Sequence, residues 1–100
     1  MAKFAIHNRE DNVGVAIEDI KAGDEAQGIY IEDKSNGPVI KAMEDIPLGH
    51  KIALRDIKAG ERVIKYGRVI GVAVKDIKVG EHVHIHNLKS LRWSNLGKKR

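Results

Sequence analysis

A small all-β domain, built as a compact barrel or sandwich of short strands, is predicted by three features of the 100-residue sequence. Segments of strand length either alternate polar and apolar residues or run apolar and β-branched, with glycine-containing turns between them. The pattern Ala-x-x-Asp-Ile-x-x-Gly occurs four times, and a new strand segment follows each glycine. No window of helical length carries a 3.6-residue apolar stripe, apart from a single helical turn near Leu88 to Trp93.

Lys3 to His7 alternates and forms the first strand, and Val13 to Ile17 is apolar around Gly14. Gly28 to Glu32 and Pro38 to Met43 flank Lys34-Ser35-Asn36-Gly37, where Asn-Gly is a hairpin-turn signal because both residues accept a positive φ. Lys51 to Leu54, Arg62 to Tyr66, Val69 to Val74 and His82 to His86 complete the set. The repeated motif starts at Ala16, Ala42, Ala53 and Ala73, separated by 26, 11 and 20 residues, so no fixed period supports a solenoid. It reads instead as one turn device. Asp19, Asp45, Asp56 and Asp76 end strands and accept backbone N–H bonds in the turn, the isoleucine anchors it, and the glycine takes a positive φ. Pro47 in the second copy suits a turn and would break a helix or a central strand. Repetition alone gives no reason for the four aspartates to converge as an acid cluster.

A chain of this length makes one domain with a modest core, and the expected boundaries are 1–94 for that domain and 95–100 for a basic, flexible tail. No apolar run reaches membrane-spanning length, and Met1-Ala2-Lys3-Phe4 leads into an alternating segment, so a cytoplasmic protein is expected. The absence of cysteine excludes disulfides, thiolate catalysis and cysteine-ligated zinc; any metal must rest on histidine and carboxylate. The net charge of +4 belongs to the C-terminal end: Lys89, Arg92, Lys98, Lys99 and Arg100 follow Glu81 with no acid among them. The body up to Glu81 carries 13 basic and 14 acidic residues, which argues against a nucleic-acid binder. The four aromatic residues offer no stacking platform for bases.

Three of the five histidines lie in Glu81-His82-Val83-His84-Ile85-His86-Asn87. On a strand these alternate positions share one face, with neighbours roughly 6–7 Å apart and the outer pair roughly 13 Å apart. Two imidazoles could therefore converge on one divalent ion, and all three only if the strand bends. The same pattern also suits a solvent-facing histidine stripe on an edge strand. Three further places carry candidate chemistry. Gly49-His50-Lys51 follows a turn, where a β domain presents polar groups at its rim, and His7 opens the polar loop to Asn12. Lys65-Tyr66-Gly67-Arg68 reads as a tight turn whose lysine and phenol could hold a carboxylate or pack at the rim.

Taken together, these blocks resemble the small SAF-type (antifreeze-like) β-clip domain of the altronate/galactarate dehydratase family. The likeness is carried by His7 with Asp11-Asn12-Val13, Gly49-His50-Lys51 with Ala53-Leu54, Lys65-Tyr66-Gly67 with Ile70-Gly71, and Gly80-Glu81-His82-Val83-His84 ending in His86-Asn87. It covers nearly the whole chain.

The resemblance implies a lyase acting on a small hydroxy acid, a sugar-acid dehydratase or a sulfolactate sulfo-lyase, with iron or manganese as the divalent metal. It further implies a large catalytic subunit as partner and leaves homo-oligomerisation open. β-Elimination needs a base for the proton beside the carboxylate, a Lewis acid for the developing enediolate, and an acid for the leaving group. On that basis His82, His84 and His86 are the expected metal ligands, His84 pairing with one neighbour and His50 within reach. His7 and His50 are the expected catalytic residues, and Lys51, Lys65 and Tyr66 are expected to bind the acid. Glu81 and Asn87, on the strand's other face, are supporting residues. The contrasting expectation is a non-catalytic β-clip module that binds a carbohydrate or a protein.

Overall fold

The computed structural model describes residues 1–90, and over them the chain is all-β. Nine strands form: β1 (Ala2–Ile6), β2 (Val13–Ala16), β3 (Glu25–Tyr30), β4 (Asn36–Lys41), β5 (Lys51–Ala53), β6 (Arg62–Lys65), β7 (Arg68–Ala73), β8 (His82–Val83) and β9 (Leu88–Ser90). A six-stranded sheet runs β4-β3-β1-β2-β5-β8, and a three-stranded sheet runs β6-β7-β9. All neighbours are antiparallel except β1 and β3. The expected tail, and the part of the expected helical turn beyond Ser90, lie outside the described residues.

The repeated motif explains why the strands stay so short. Its copies work in pairs, the first with the second and the third with the fourth. Ile20 and Ile46 exchange both backbone hydrogen bonds, as do Ile57 and Ile77, and all four side chains are buried. The motif alanines accept from the partner copy's glycine: Gly49 N to Ala16 O, Gly23 N to Ala42 O, Gly80 N to Ala53 O and Gly60 N to Ala73 O. The aspartates also reach across, accepting from Leu48 N (Asp19), Ala22 N (Asp45), Val79 N (Asp56) and Ala59 N (Asp76) at 2.8–2.9 Å. Their role is thus structural, as read from sequence, but each carboxylate closes its partner's turn rather than its own. Backbone donors near the sheet ends are satisfied in this way without longer strands.

Each pair of turns closes one half of the core. Phe4, Ile6, Ala16, Ile20, Ala26, Ile40, Ala42, Ile46 and Ile52 form one cluster; Val13, Ala53, Ile57, Val63, Ala73, Ile77 and Val83 form the other. Phe4 is fully buried and its ring lies over Gly28, its register partner on β3, where a side chain would collide with it. Asn12, just before β2, ties the six-stranded sheet to β6 of the other. Its side-chain amide is wholly buried, accepting from Ile64 N at 2.7 Å and donating to Arg62 O at 2.9 Å, while Leu54 N donates to its backbone carbonyl. Asn12→Ala strands one donor and one acceptor on β6 and is expected to cost about 2–4 kcal/mol. Denaturant unfolding checks this, and a loss below about 1 kcal/mol would show that water replaces the amide.

Three local expectations differ from the structure. Asn36-Gly37 lies inside β4, and the turn before it spans 31–33 and is followed by Lys34 at φ 64. Asp33 organises that turn by accepting from Ser35 N and Ser35 Oγ and pairing with Arg9 at 2.9 Å. Leu88 to Ser90 is a strand rather than a helical turn, because it pairs with Gly71 to Ala73 of β7. The histidine strand stops at Val83, and residues 85–87 form a turn.

Candidate metal centre

The sequence turns the chain at two points to bring His50, His82 and His84 together. Gly49, at φ 86, closes the second motif copy, and His50 N bonds Pro47 O just before β5 begins. Across β5 and β8, Lys51 pairs with Val83 and Ile52 with His82, so the next step along places His50 beside His84. The two rings stack with centroids 4.3 Å apart, and His50 Nδ1 lies 2.8 Å from His82 Nε2. The His82 and His84 rings lie 5.4 Å apart and nearly parallel.

Two side chains hold the backbone beneath these rings. Asn87 is buried, its Oδ1 accepting from His84 N and its Nδ2 donating to His82 O, and its backbone N bonds His84 O. This local clamp bends the chain out of the strand after Val83. Glu44 Oε2 accepts from His82 N at 2.9 Å and pins β8 from the other side. Sequence reasoning placed Asn87 among the supporting residues and missed Glu44, which stands at a variable position of the turn motif with no local signal of its neighbour.

One ligand atom from each of His50, His82 and His84 can be chosen so that all lie within 4.8 Å of one another. Two nitrogens bound to one ion at about 2.0–2.1 Å each are at most about 4.2 Å apart, so modest ring rotation lets this donor set close on a single ion. Burial, and then the neighbouring histidines His50, His86 and His84, pushes the His82 pKa down, with Glu44 opposing. Burial, His50, Lys51 and His86 push His84 down in the same direction. Both rings are therefore neutral nitrogen donors at pH 7. His86 is exposed, tilted against His82 at 5.4 Å between centroids, and its atoms are outside the group of three.

The remaining candidates form the flank. Lys51 shares a cavity of about 280 Å³ with Ile70, His84, Ile85, Leu88 and Ser90. Its pKa is lowered by burial and then by the charge of Lys65. Neither lysine forms an ion pair among the described residues. His7, just past β1, stacks on Tyr66 with centroids 3.9 Å apart, and Lys65 Nζ lies 5.1 Å from the Tyr66 ring centroid. Burial, then Lys65, lowers the His7 pKa, with Asp11 opposing. A basic flank, felt at Lys51 through the charge of Lys65 and at His84 through Lys51, thus adjoins the three clustered imidazoles.

These shifts have a consequence for stability. Below the ordinary value of 6.5 and above their lowered values, His7, His82 and His84 hold fewer protons folded than unfolded. Stability is therefore full above pH 6.5 and falls as pH drops through that window. A metal-free chain is expected to show a melting temperature that rises from pH 5 to 7. A flat profile would mean that folding makes these rings no harder to protonate.

Residues 2–91 match the altronate/galactarate dehydratase SAF domain. The chain is 42% identical over 91 residues to the (2R)-sulfolactate sulfo-lyase subunit alpha of Chromohalobacter salexigens, covering 90% of this chain and 96% of that one. It is 56% identical over 54 residues to the subunit of the same name from Paracoccus pantotrophus, covering 54% and 81% of the two chains. It is also 42% identical over 92 residues to the altronate dehydratase of Bacillus subtilis, covering 90% of this chain but 17% of that enzyme. The residues that carried the resemblance in sequence, and the three clustered imidazoles, all fall within the matched span, and the chain belongs to the altronate/galactarate dehydratase SAF domain family.

Proposed function

We propose that this chain is the small subunit of a metal-dependent lyase acting on a hydroxy acid, of the sugar-acid dehydratase or sulfolactate sulfo-lyase type, working with a separate large subunit in the cytoplasm. The observation that carries the reading is the convergence of His50, His82 and His84 within 4.8 Å. The relatives supply the reaction class: one is named as a subunit of nearly this length, and another carries the same domain within a far longer enzyme. Among the described residues no helix is long and apolar enough to cross a membrane.

His50, His82 and His84 would hold iron or manganese, which when bound supplies Lewis acidity to the substrate's carboxylate and hydroxyl oxygens. In this scheme His50 is a ligand rather than a proton carrier, and His86 stands beside the site. Lys51 and Lys65 attract the acid, each offering a cation without an ion-pair partner among the described residues. His7, neutral at pH 7, accepts the proton from the carbon beside the carboxylate at a ring nitrogen. The C–H electron pair becomes the new carbon–carbon double bond as the β-substituent leaves, a hydroxyl taking the proton back from His7 to depart as water and a sulfonate departing as sulfite, while Tyr66 Oη donates a hydrogen bond to the acid. Ile85, 84% exposed between His84 and His86, marks the rim that the large subunit covers, excluding water from the reacting carbon.

The test is to co-express the chain with its large subunit, measure bound metal, and assay (2R)-sulfolactate, altronate and galactarate. The expected result is stoichiometric metal and elimination from at least one acid by the assembly, with none by either subunit alone. An assembly that binds no metal, or that eliminates from none of these acids, overturns the reading.

A further inference from the structure

We propose that Asp11 is a positioning residue that holds the Tyr66-Gly67 turn in a left-handed conformation, so that the Tyr66 phenol stays stacked on His7 as one unit facing the substrate. The catalytic part of this inference rests on the lyase reading above; the positioning part does not.

Tyr66 has φ 60, a conformation that a bulky side chain adopts only where its surroundings enforce it. The enforcing group is the carboxylate of Asp11, a residue 8% exposed. Its Oδ1 accepts from Gly67 N at 2.8 Å, and its Oδ2 accepts from Tyr66 N at 3.0 Å and Asn8 N at 3.2 Å. Three donors on one buried carboxylate fix the hairpin turn against the loop that follows β1. The approach is close enough that a side chain at Gly67 would press on the Asn8 amide at 3.0 Å.

The strain is not offset by burial, because Tyr66 remains 57% exposed. What the conformation secures is placement. The phenol ring lies 3.9 Å from the His7 ring at an interplanar angle of 28°, with Lys65 Nζ 5.1 Å from its centroid. A hairpin turn with no such duty is better served by Asn-Gly, which takes two positive φ angles without strain. An exposed aromatic kept in an unfavourable backbone state, with its ring parked on a neutral imidazole, points to a ligand that meets both rings.

Three variants test this. In Asp11→Asn the amide nitrogen faces backbone donors where an acceptor is needed, so the turn relaxes. The His7 ring protons are expected upfield in the unaltered chain, where they lie against the phenol ring, and are expected to lose that shift in NMR spectra of this variant. In the assembled enzyme kcat is expected to fall about 100-fold with KM within about 3-fold, the signature of misplacement rather than lost binding. Tyr66→Asn removes the ring and the strain together, and is expected to keep or raise the melting temperature while kcat falls by a similar factor. Tyr66→Phe keeps the ring current and the melting temperature while lowering kcat. The proposal is overturned if Asp11→Asn retains the upfield shift, if it loses the shift with kcat unchanged, or if Tyr66→Asn lowers the melting temperature by more than about 4 °C, since the ring would then be there for packing. Should the unaltered assembly show no lyase activity, the lyase reading fails, while the NMR and melting results still decide the positioning role.

Discussion

His50→Ala, His82→Ala and His84→Ala are each expected to weaken metal retention in the assembled enzyme at least 100-fold, to roughly the level of a lost ligand rather than a lost supporting contact. His86→Ala is expected to stay within about 10-fold. The contrast separates two arrangements of the same residues. A straight strand would set His82, His84 and His86 on one face with its outer members roughly 13 Å apart, too far for one ion. The bend after Val83 instead leaves His86 exposed, while His50 arrives from the turn before β5 with its Nδ1 2.8 Å from His82 Nε2. Elemental analysis of each purified variant, with turnover measured alongside, decides the matter. If His86→Ala strips the metal and His50→Ala keeps it, the three clustered rings are not the site, however closely they approach without an ion.

Local signals carried the strands, the turns and the class of fold, and they failed where a distant partner decides the outcome. The motif Ala-x-x-Asp-Ile-x-x-Gly was plain in sequence, but its irregular spacing concealed that copies work in reciprocal pairs. That pairing is made by Asp19 with Leu48 N and Asp56 with Val79 N, contacts 29 and 23 residues apart. Asn36-Gly37 has the local chemistry of a turn, yet a side chain at Gly37 would crowd Ile6 and Tyr30, so the glycine answers to packing between strands. At the site, residue types single out His50, His82 and His84 among the candidates, and the structure brings these three together while leaving His86 beside them. Their mutual geometry was hidden because β8 is two residues long and a buried Asn87 amide, rather than strand alternation, aims His84. Asp11 and Glu44 act through backbone N–H groups of Tyr66, Gly67 and His82, and nothing in the adjoining sequence announces those partners.

Gly80→Ala is expected to cost about 3 kcal/mol or more, against about 1 kcal/mol for Gly60→Ala, although the two glycines close equivalent turns. Both have positive φ, 88 and 86, so both variants bear the left-handed strain of an L side chain. They differ in what the new methyl meets. At Gly60 nothing lies within 4 Å, whereas at Gly80 it would run into the Lys41 carbonyl oxygen and come within 3.2 Å of Met43 Cγ. The turn cannot step aside, because Gly80 N donates to Ala53 O at 2.9 Å and Gly80 O accepts from Met43 N at 2.9 Å. Glu44, the next residue after Met43, bonds His82 N, so displacement of this contact also unseats the strand that carries His82, one of the proposed metal ligands. Gly80→Ala should therefore lower metal affinity as well as stability, while Gly60→Ala leaves the affinity intact. Chemical unfolding and metal titration of both variants measure the two effects. Equal destabilisation at the two positions would mean that backbone strain alone sets the cost, and that the close approach of Lys41 to the fourth turn does not hold β8 in place.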